Sequence, residues 1–259
     1  MQFFEAPGLL TGLFIFISSI AVAVAGGYLI RSRVHFSILQ EDHEVAGYLY
    51  SMVSVVYAVL LGFITVVVWQ QHRDTQNYVQ QEAVRVSNLL RDAQVFPDPL
   101  RKDLRDKLVA YGKAVVNDEW NTMAKRQPSP LASKAYEGIW ETIYKIQPET
   151  ERERAFYKES ITRLNELGGI RRSRLSSSQS RIPSLLWVLL IGGAVISIAF
   201  TYLFGAKNNC SHMLAVGSIA GLIGFTLFLI LAMSCPFSGS LRISPDPLAS
   251  VLQAWERSP

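Results

Sequence analysis

The chain has 259 residues, 49% of them hydrophobic and only 18% charged, with a formal net charge of +4. Soluble domains carry nearer to a quarter charged residues. Here the charges also withdraw into blocks, and no Asp, Glu, Lys or Arg occurs in residues 6–30, 45–72, 182–206 or 208–241. That partition excludes an ordinary water-soluble fold. Nor does the basic balance mark a nucleic-acid partner, because no basic face is interleaved with exposed aromatics.

A hydrocarbon core of ~30 Å needs roughly 20 apolar residues at 1.5 Å each, and each uncharged stretch is long enough. We place spans at residues 9–30, 48–69, 183–204 and 212–233. All four exceed the ~18-residue length that separates a membrane span from a buried core helix. In the first, Ala21-Val22-Ala23-Val24-Ala25 looks like a signal-peptidase site. No Lys or Arg precedes it and the apolar run continues beyond it, so the span is read as retained.

Gln40-Glu41-Asp42-His43-Glu44 leads into the second span. Asp42, His43 and Glu44 are candidate pore-entrance residues, able to concentrate cations, bind a divalent metal or titrate through His43. They equally suit plain helix capping, since acids complement the dipole at a helix start. His35 and His43 lack a fixed short ligand spacing, so no metal site and no cofactor are assigned.

Within the second span, Gly47, Ser51, Ser54, Ala58, Gly62, Thr65 and Trp69 recur at three- and four-residue spacing and share one helical face. Bulky Tyr50, Val53, Leu60 and Ile64 lie elsewhere. A narrow face permits close helix packing in lipid, and it also permits a pore. Gly47, Ser51, Ser54, Ala58, Gly62 and Thr65 are therefore candidate pore-lining residues, with packing as the competing reading.

Residues 70–181 read as soluble helices punctuated by proline. The second span continues through Tyr78, Val79, Val86, Leu89, Leu90 and Ala93 to Pro97-Asp98-Pro99. Leu100, Leu104, Leu108, Tyr111 and Val115 form the next amphipathic stripe. After Pro128-Ser129-Pro130 comes a helix with Tyr136, Ile139, Trp140, Ile143 and Tyr144. Pro148-Glu149-Thr150 opens another, carrying Phe156, Leu164 and Leu167 inward. The run Ser176-Ser177-Ser178-Gln179-Ser180 looks like a hinge or linker before the third span.

Gly193, Ser197 and Thr201 on the third span, and Gly217-x-x-x-Gly221 and Ala220-x-x-x-Gly224 on the fourth, are assigned to helix packing. Cys210 and Cys235 stand ~37 Å apart along a helix, too far for an intrachain disulfide. No phosphate loop, His-Glu-x-x-His or Cys-x-x-Cys appears, and the charged runs in residues 101–107 and 149–154 suit solvated helix faces. An enzyme is not expected. The spans also lack the Asp, Glu or His relays of proton-coupled pumps, which leaves a channel or a scaffold.

Four spans put both termini and the middle domain on one side, with Arg73, Arg85, Arg171, Arg172, Arg174, Arg181 and Arg242 near the membrane. The other side has Arg31, Arg33 and Lys207. The positive-inside bias then makes the first side cytoplasmic, although Arg31 and Arg33 after the first helix favour the reverse. The four arginines Arg171, Arg172, Arg174 and Arg181 are read as facing anionic headgroups.

These features resemble the bestrophin-like family, mainly bacterial membrane proteins catalogued as a domain of unknown function. The resemblance rests on His43-Glu44-Val45-Ala46-Gly47, Tyr57-Ala58-Val59-Leu60-Leu61-Gly62-Phe63 with Trp69, Glu82-Ala83 and Asp118-Glu119-Trp120. It continues through Arg152-Glu153-Arg154, Arg163-Leu164-Asn165, Arg172-Ser173-Arg174-Leu175 and Pro236-Phe237-Ser238-Gly239. The chain departs from the pattern two positions before Pro236, where an acid is expected and Ser234 stands. Bestrophins are pentameric anion channels with four spans per subunit, a helical cytoplasmic domain and a pore lined by the second span. No calcium site is carried over, because its acidic cluster has no counterpart here.

The resulting expectation is an all-α integral membrane protein. Spans one and two occupy residues 1–69, a helical cytoplasmic domain 70–181, spans three and four 182–235, and a cytoplasmic tail 236–259. Its function is that of an oligomeric ion channel of the inner or plasma membrane, a pentamer by resemblance. The implied partners are membrane lipid and a small inorganic anion. The alternative is a non-conducting scaffold or signalling module whose cytoplasmic helices bind a protein partner.

Overall fold

The computed structural model describes residues 8–33, 43–204 and 208–257, with side chains throughout except at residues 43–46. Regular structure among them is helical: α1 (Leu9–Arg33), α2 (His43–Ala93), α3 (Leu100–Ala114), α4 (Trp120–Ala124) and α5 (Pro130–Tyr144), then α6 (Glu151–Gln179), α7 (Ser184–Thr201), α8 (Asn209–Met233) and α9 (Asp246–Arg257). A five-residue π-helical turn, Val115–Glu119, joins α3 to α4. Leu9–Arg33, Gly47–Ala93, Ser184–Thr201 and Asn209–Met233 are each long and apolar enough to cross a membrane. The chain divides into two compact units, Met1–Gln70 with Arg181–Cys235, and Gln71–Ser180 with Pro236–Pro259.

In the first unit α1 packs along α8, and small residues set how closely. A methyl group on Gly221 would stand 3.0 Å from Phe16 and 3.1 Å from Ile20, and one on Gly217 3.3 Å from Ile20. Gly224 has the Ser19 side chain against it, and Gly12 lies under the Phe228 ring. The Tyr202 hydroxyl completes the contact by donating to the Ala23 carbonyl at 2.7 Å. On α7, Gly193 receives the ring of Tyr57 from α2, whose hydroxyl donates to the Leu190 carbonyl at 3.0 Å. Gly193 of α7 and Gly217, Gly221 and Gly224 of α8 therefore serve packing. Cys210 is exposed and Cys235 is buried.

The second unit is a conventional apolar core. Leu89, Leu104, Leu108, Val115, Ile139, Ile143, Leu164 and Leu167 are fully buried, so the stripes predicted on four helices converge, while Tyr144 at the end of α5 is exposed. Burying one such Leu completely contributes about 1.5–3 kcal/mol relative to leaving it exposed. Helix starts follow their sequence signals. Ser129 accepts from the Ala132 amide at 3.0 Å with Pro130 in the first turn, and Thr150 accepts from the Glu153 amide at 3.1 Å.

One expectation changes. The serine run is helical and not a hinge or linker: α6 continues to Gln179, with Ser177 and Ser178 donating back to the carbonyls of Ser173 and Leu175 and Ser178 buried. In the C-terminal segment Phe237, Ile243 and Leu248 join the core of the second unit.

If close approach of α1 and α8 holds the first unit, Gly224→Val should lower its stability by about 1–3 kcal/mol, the usual cost of overpacking. Gly192→Ala, at a glycine with no neighbour within 4 Å, should leave it unchanged. Thermal unfolding of both variants in detergent checks the contrast.

Candidate functional site

Helix α2 presents two different faces within the first unit. Tyr57 and Val68 are buried, with Leu60, Leu61 and Ile64 packed beside them against α7 and α8 residues such as Leu190, Ala194, Ile223 and Ile230. About a quarter-turn away at 3.6 residues per turn, the face of small residues has little cover from its own chain. Ser51, Ala58 and Gly62 are exposed, and Gly47, Ser54 and Thr65 are half-buried. Gly62 has no atom within 4 Å of where a side chain would begin, and Gly47 only the edge of Phe204 at 3.9 Å. Asp42 lies outside the described residues. His43 and Glu44 begin α2, and their side chains are not described.

The hydroxyls on this face are not equivalent. Ser51 donates to the Gly47 carbonyl at 2.9 Å and Thr65 to the Leu61 carbonyl at 2.7 Å. Both therefore turn lone pairs outward. The Ser54 hydroxyl is buried within the chain and has no partner, so its proton is uncommitted. Beside this face Val55, Val59, Phe63 and Val66 form an exposed apolar band. Among the described residues no three His, Cys, Asp or Glu side chains gather as metal ligands would.

Sequence reasoning missed a second polar cluster, buried in the other unit. Arg174, fully buried, reaches Glu82 Oε1 at 3.0 Å and Glu119 Oε2 at 2.6 Å through Nη2, while its Nε donates to Glu82 Oε2. Arg171 donates to Glu119 Oε1 at 2.6 Å and Ser133 Oγ at 3.0 Å. Tyr111 donates to Glu82 Oε1 at 2.6 Å. Two carboxylates and two guanidinium groups thus neutralise one another. The Arg174 guanidinium also lies 5.3 Å over the Trp120 ring, whose indole donates to the Ile243 carbonyl at 3.1 Å.

This burial corrects one inference from sequence: Arg171 and Arg174 serve internal carboxylates and do not face lipid headgroups. The signal was present in helical spacing. Glu82 sits between Val79 and Val86 on the apolar stripe of α2, and Arg171 and Arg174 extend the Leu164–Leu167 stripe of α6.

The electrostatics follow from burial. Desolvation disfavours the Arg174 cation, but Glu82 and Glu119 outweigh it and raise its pKa above the ordinary arginine value. Burial first, and the Glu82 charge second, push the Tyr111 hydroxyl well above 10.0.

The segments that suggested a family include Glu82, Glu119 and Arg174, and their convergence gives that suggestion a physical basis. The bestrophin-like domain profile matches residues 17–248. The chain belongs to the bestrophin-like family. Among solved structures it is similar to a bacterial bestrophin homologue from Klebsiella pneumoniae carrying an isoleucine-to-threonine mutation, with TM-score 0.66, 14% identity, and 93% of this chain and 98% of that one covered. A leucine-to-threonine mutant of the Klebsiella pneumoniae homologue matches with TM-score 0.62 and 15% identity, covering 93% and 96%. A membrane protein with a proline-to-alanine mutation matches with TM-score 0.64 and 13% identity, covering 96% of each. No curated protein matches the chain. At these identities the likeness is one of fold. With the four apolar helices, family membership makes this an integral membrane protein.

Removing one partner from a buried ion pair costs about 3–5 kcal/mol, because the other charge remains buried. Arg174→Met should lower the stability of this bestrophin-like protein by that order, and Arg174→Lys should not restore it, since an ammonium cannot bridge two carboxylates as a guanidinium does. Denaturation in detergent measures both. In the folded protein Tyr111 keeps its proton above pH 10, where the unfolded chain loses it, so its contribution is complete below pH 10 and lost as pH rises further. The Tyr111→Phe protein should show a shallower alkaline decline in melting temperature.

Proposed function

We propose that this chain is the subunit of an oligomeric channel passing small anions through a pore lined by Gly47, Ser51, Ser54, Ala58, Gly62 and Thr65 of α2. The observation that carries this reading is the uncovered small face of α2 beside a neighbouring face packed against α7 and α8. A face of glycine, alanine and short hydroxyls facing only lipid has no physical purpose. Symmetric association, pentameric by family resemblance, turns it toward an axis. One subunit with four helices has no room for a pore of its own.

In this reading the four helices span the membrane two and two. The unit built on α3–α6 and both termini are cytoplasmic. Without Arg171 and Arg174 the positive-inside bias narrows but keeps its sign: Arg73, Arg85, Arg172, Arg181 and Arg242 against Arg31, Arg33 and Lys207. Asp42, His43 and Glu44 would stand at the non-cytoplasmic entrance. Selectivity follows from hydroxyl orientation. To donate to an anion, Ser51 and Thr65 must rotate their protons off the α2 carbonyls, and the Ser54 hydroxyl must leave its buried position.

The test is reconstitution of the detergent-purified oligomer in planar bilayers under asymmetric chloride. Discrete currents reversing near the chloride potential are expected, and Gly62→Trp or Ala58→Trp should abolish them without changing the oligomer's mass. Unchanged current in an assembled Gly62→Trp protein would remove α2 from the pore. Reversal near the cation potential would keep the pore and reject anion selectivity. Silence from a well-folded oligomer would favour the non-conducting module.

A further inference from the structure

The C-terminal end of α1 and the N-terminal end of α8 frame an open cavity of about 330 Å³ whose lining includes Tyr28, Arg31, Ser32, Asn209 and Cys210. Arg31 donates through Nη1 to the Asn209 carboxamide oxygen. Its Nη2 is buried from solvent without a partner. Among the described residues no carboxylate pairs with this guanidinium.

A guanidinium nitrogen withdrawn from water, with nothing to bond among the described residues, is an unfavourable arrangement. Native proteins resolve it with a side chain, an ordered water or an ion. The local chemistry selects among these. The Arg31 bond fixes the Asn209 amide so that its NH₂ is free as a further donor. The Tyr28 and Ser32 hydroxyls add polar lining, and Ser32 already donates to the Leu29 carbonyl at 2.8 Å. A guanidinium with no carboxylate partner among the described residues, beside a further donor, suits an acceptor with negative charge. The cavity has room for a small ion with part of its hydration shell, as one water occupies about 30 Å³.

We propose that this cavity binds a small anion, held by the Arg31 guanidinium with Asn209 as a neighbouring donor. The site lies on α1 and α8, apart from the small face of α2, and does not require that the protein conduct. A dissolved inorganic anion and the phosphate of a lipid headgroup present the same chemistry, and the test separates them.

Cys210 reports on the cavity because it lines it and is exposed, whereas Cys235 is buried. In the full-length protein in neutral detergent, its modification is timed with sulfonatoethyl and trimethylammonioethyl methanethiosulfonates. Nitrate should slow the sulfonate reagent relative to gluconate at equal ionic strength. Arg31→Gln should lower the sulfonate-to-ammonium rate ratio roughly fivefold, the scale of one charge acting across a few ångströms of solvent. Protection by added phosphatidylglycerol but not by nitrate would assign the anion to lipid and still support the site. No protection by either, or an unchanged ratio in a folded Arg31→Gln protein, would overturn it in favour of water. Should Arg31→Gln fail to fold, the nitrate and gluconate comparison on the natural sequence decides. Bilayer currents play no part in these rates, so failure here and failure of the channel reading are separable.

Discussion

Apolar side chains in lipid gain little by leaving one hydrocarbon surface for another, so helix contact depends on how closely two backbones can approach. This constraint organises the first unit. Gly217, Gly221 and Gly224 admit Phe16, Ile20 and Ser19 of α1 to the α8 surface, and Gly193 admits the ring of Tyr57. Directional bonds then lock these approaches, from Tyr202 to the Ala23 carbonyl and from Tyr57 to the Leu190 carbonyl. The same constraint makes Gly62 informative: a glycine with no neighbour in its own chain does not serve contact within it.

The second unit is held differently, by a contiguous core of fully buried side chains. Its apolar core is broad, yet at its centre lie Glu82, Glu119, Arg171 and Arg174. A buried pair adds little net stability over well-packed hydrophobic residues. What it adds here is register. Glu82 comes from α2, Glu119 from the π-helical turn, and both arginines from α6, so all three segments must align before any of the charges is satisfied. The π-helical turn widens the helix locally and is part of how Glu119 comes to lie beside both guanidinium groups. Trp120, under Arg174 and bonded to Ile243, extends the arrangement to the C-terminal segment.

Much of the helical order was legible before the structure. Uncharged stretches of span length, proline stops and the caps at Ser129 and Thr150 are local signals. The stripes of α3, α5 and α6 followed from spacing alone. The serine run misled because serine favours turns in isolation, whereas here Ser177 and Ser178 bond back to their own helix and Ser178 is buried. The fate of the arginines was hidden because charge near a membrane has two uses, and only a folded partner distinguishes them.

The sequence by itself determined the number of long apolar helices, the helical class and the family, because those depend on composition, period and motif along one chain. Tertiary structure decided what each small or charged residue does. Gly62 and Gly221 look alike in sequence, but one meets open space and the other meets Phe16 and Ile20. Arg172 and Arg174 lie two positions apart, but one is exposed and the other is fully buried between two carboxylates. The reason is physical: packing and ion pairing are relations between distant segments, and their energies depend on separations of a few ångströms that local pattern does not encode.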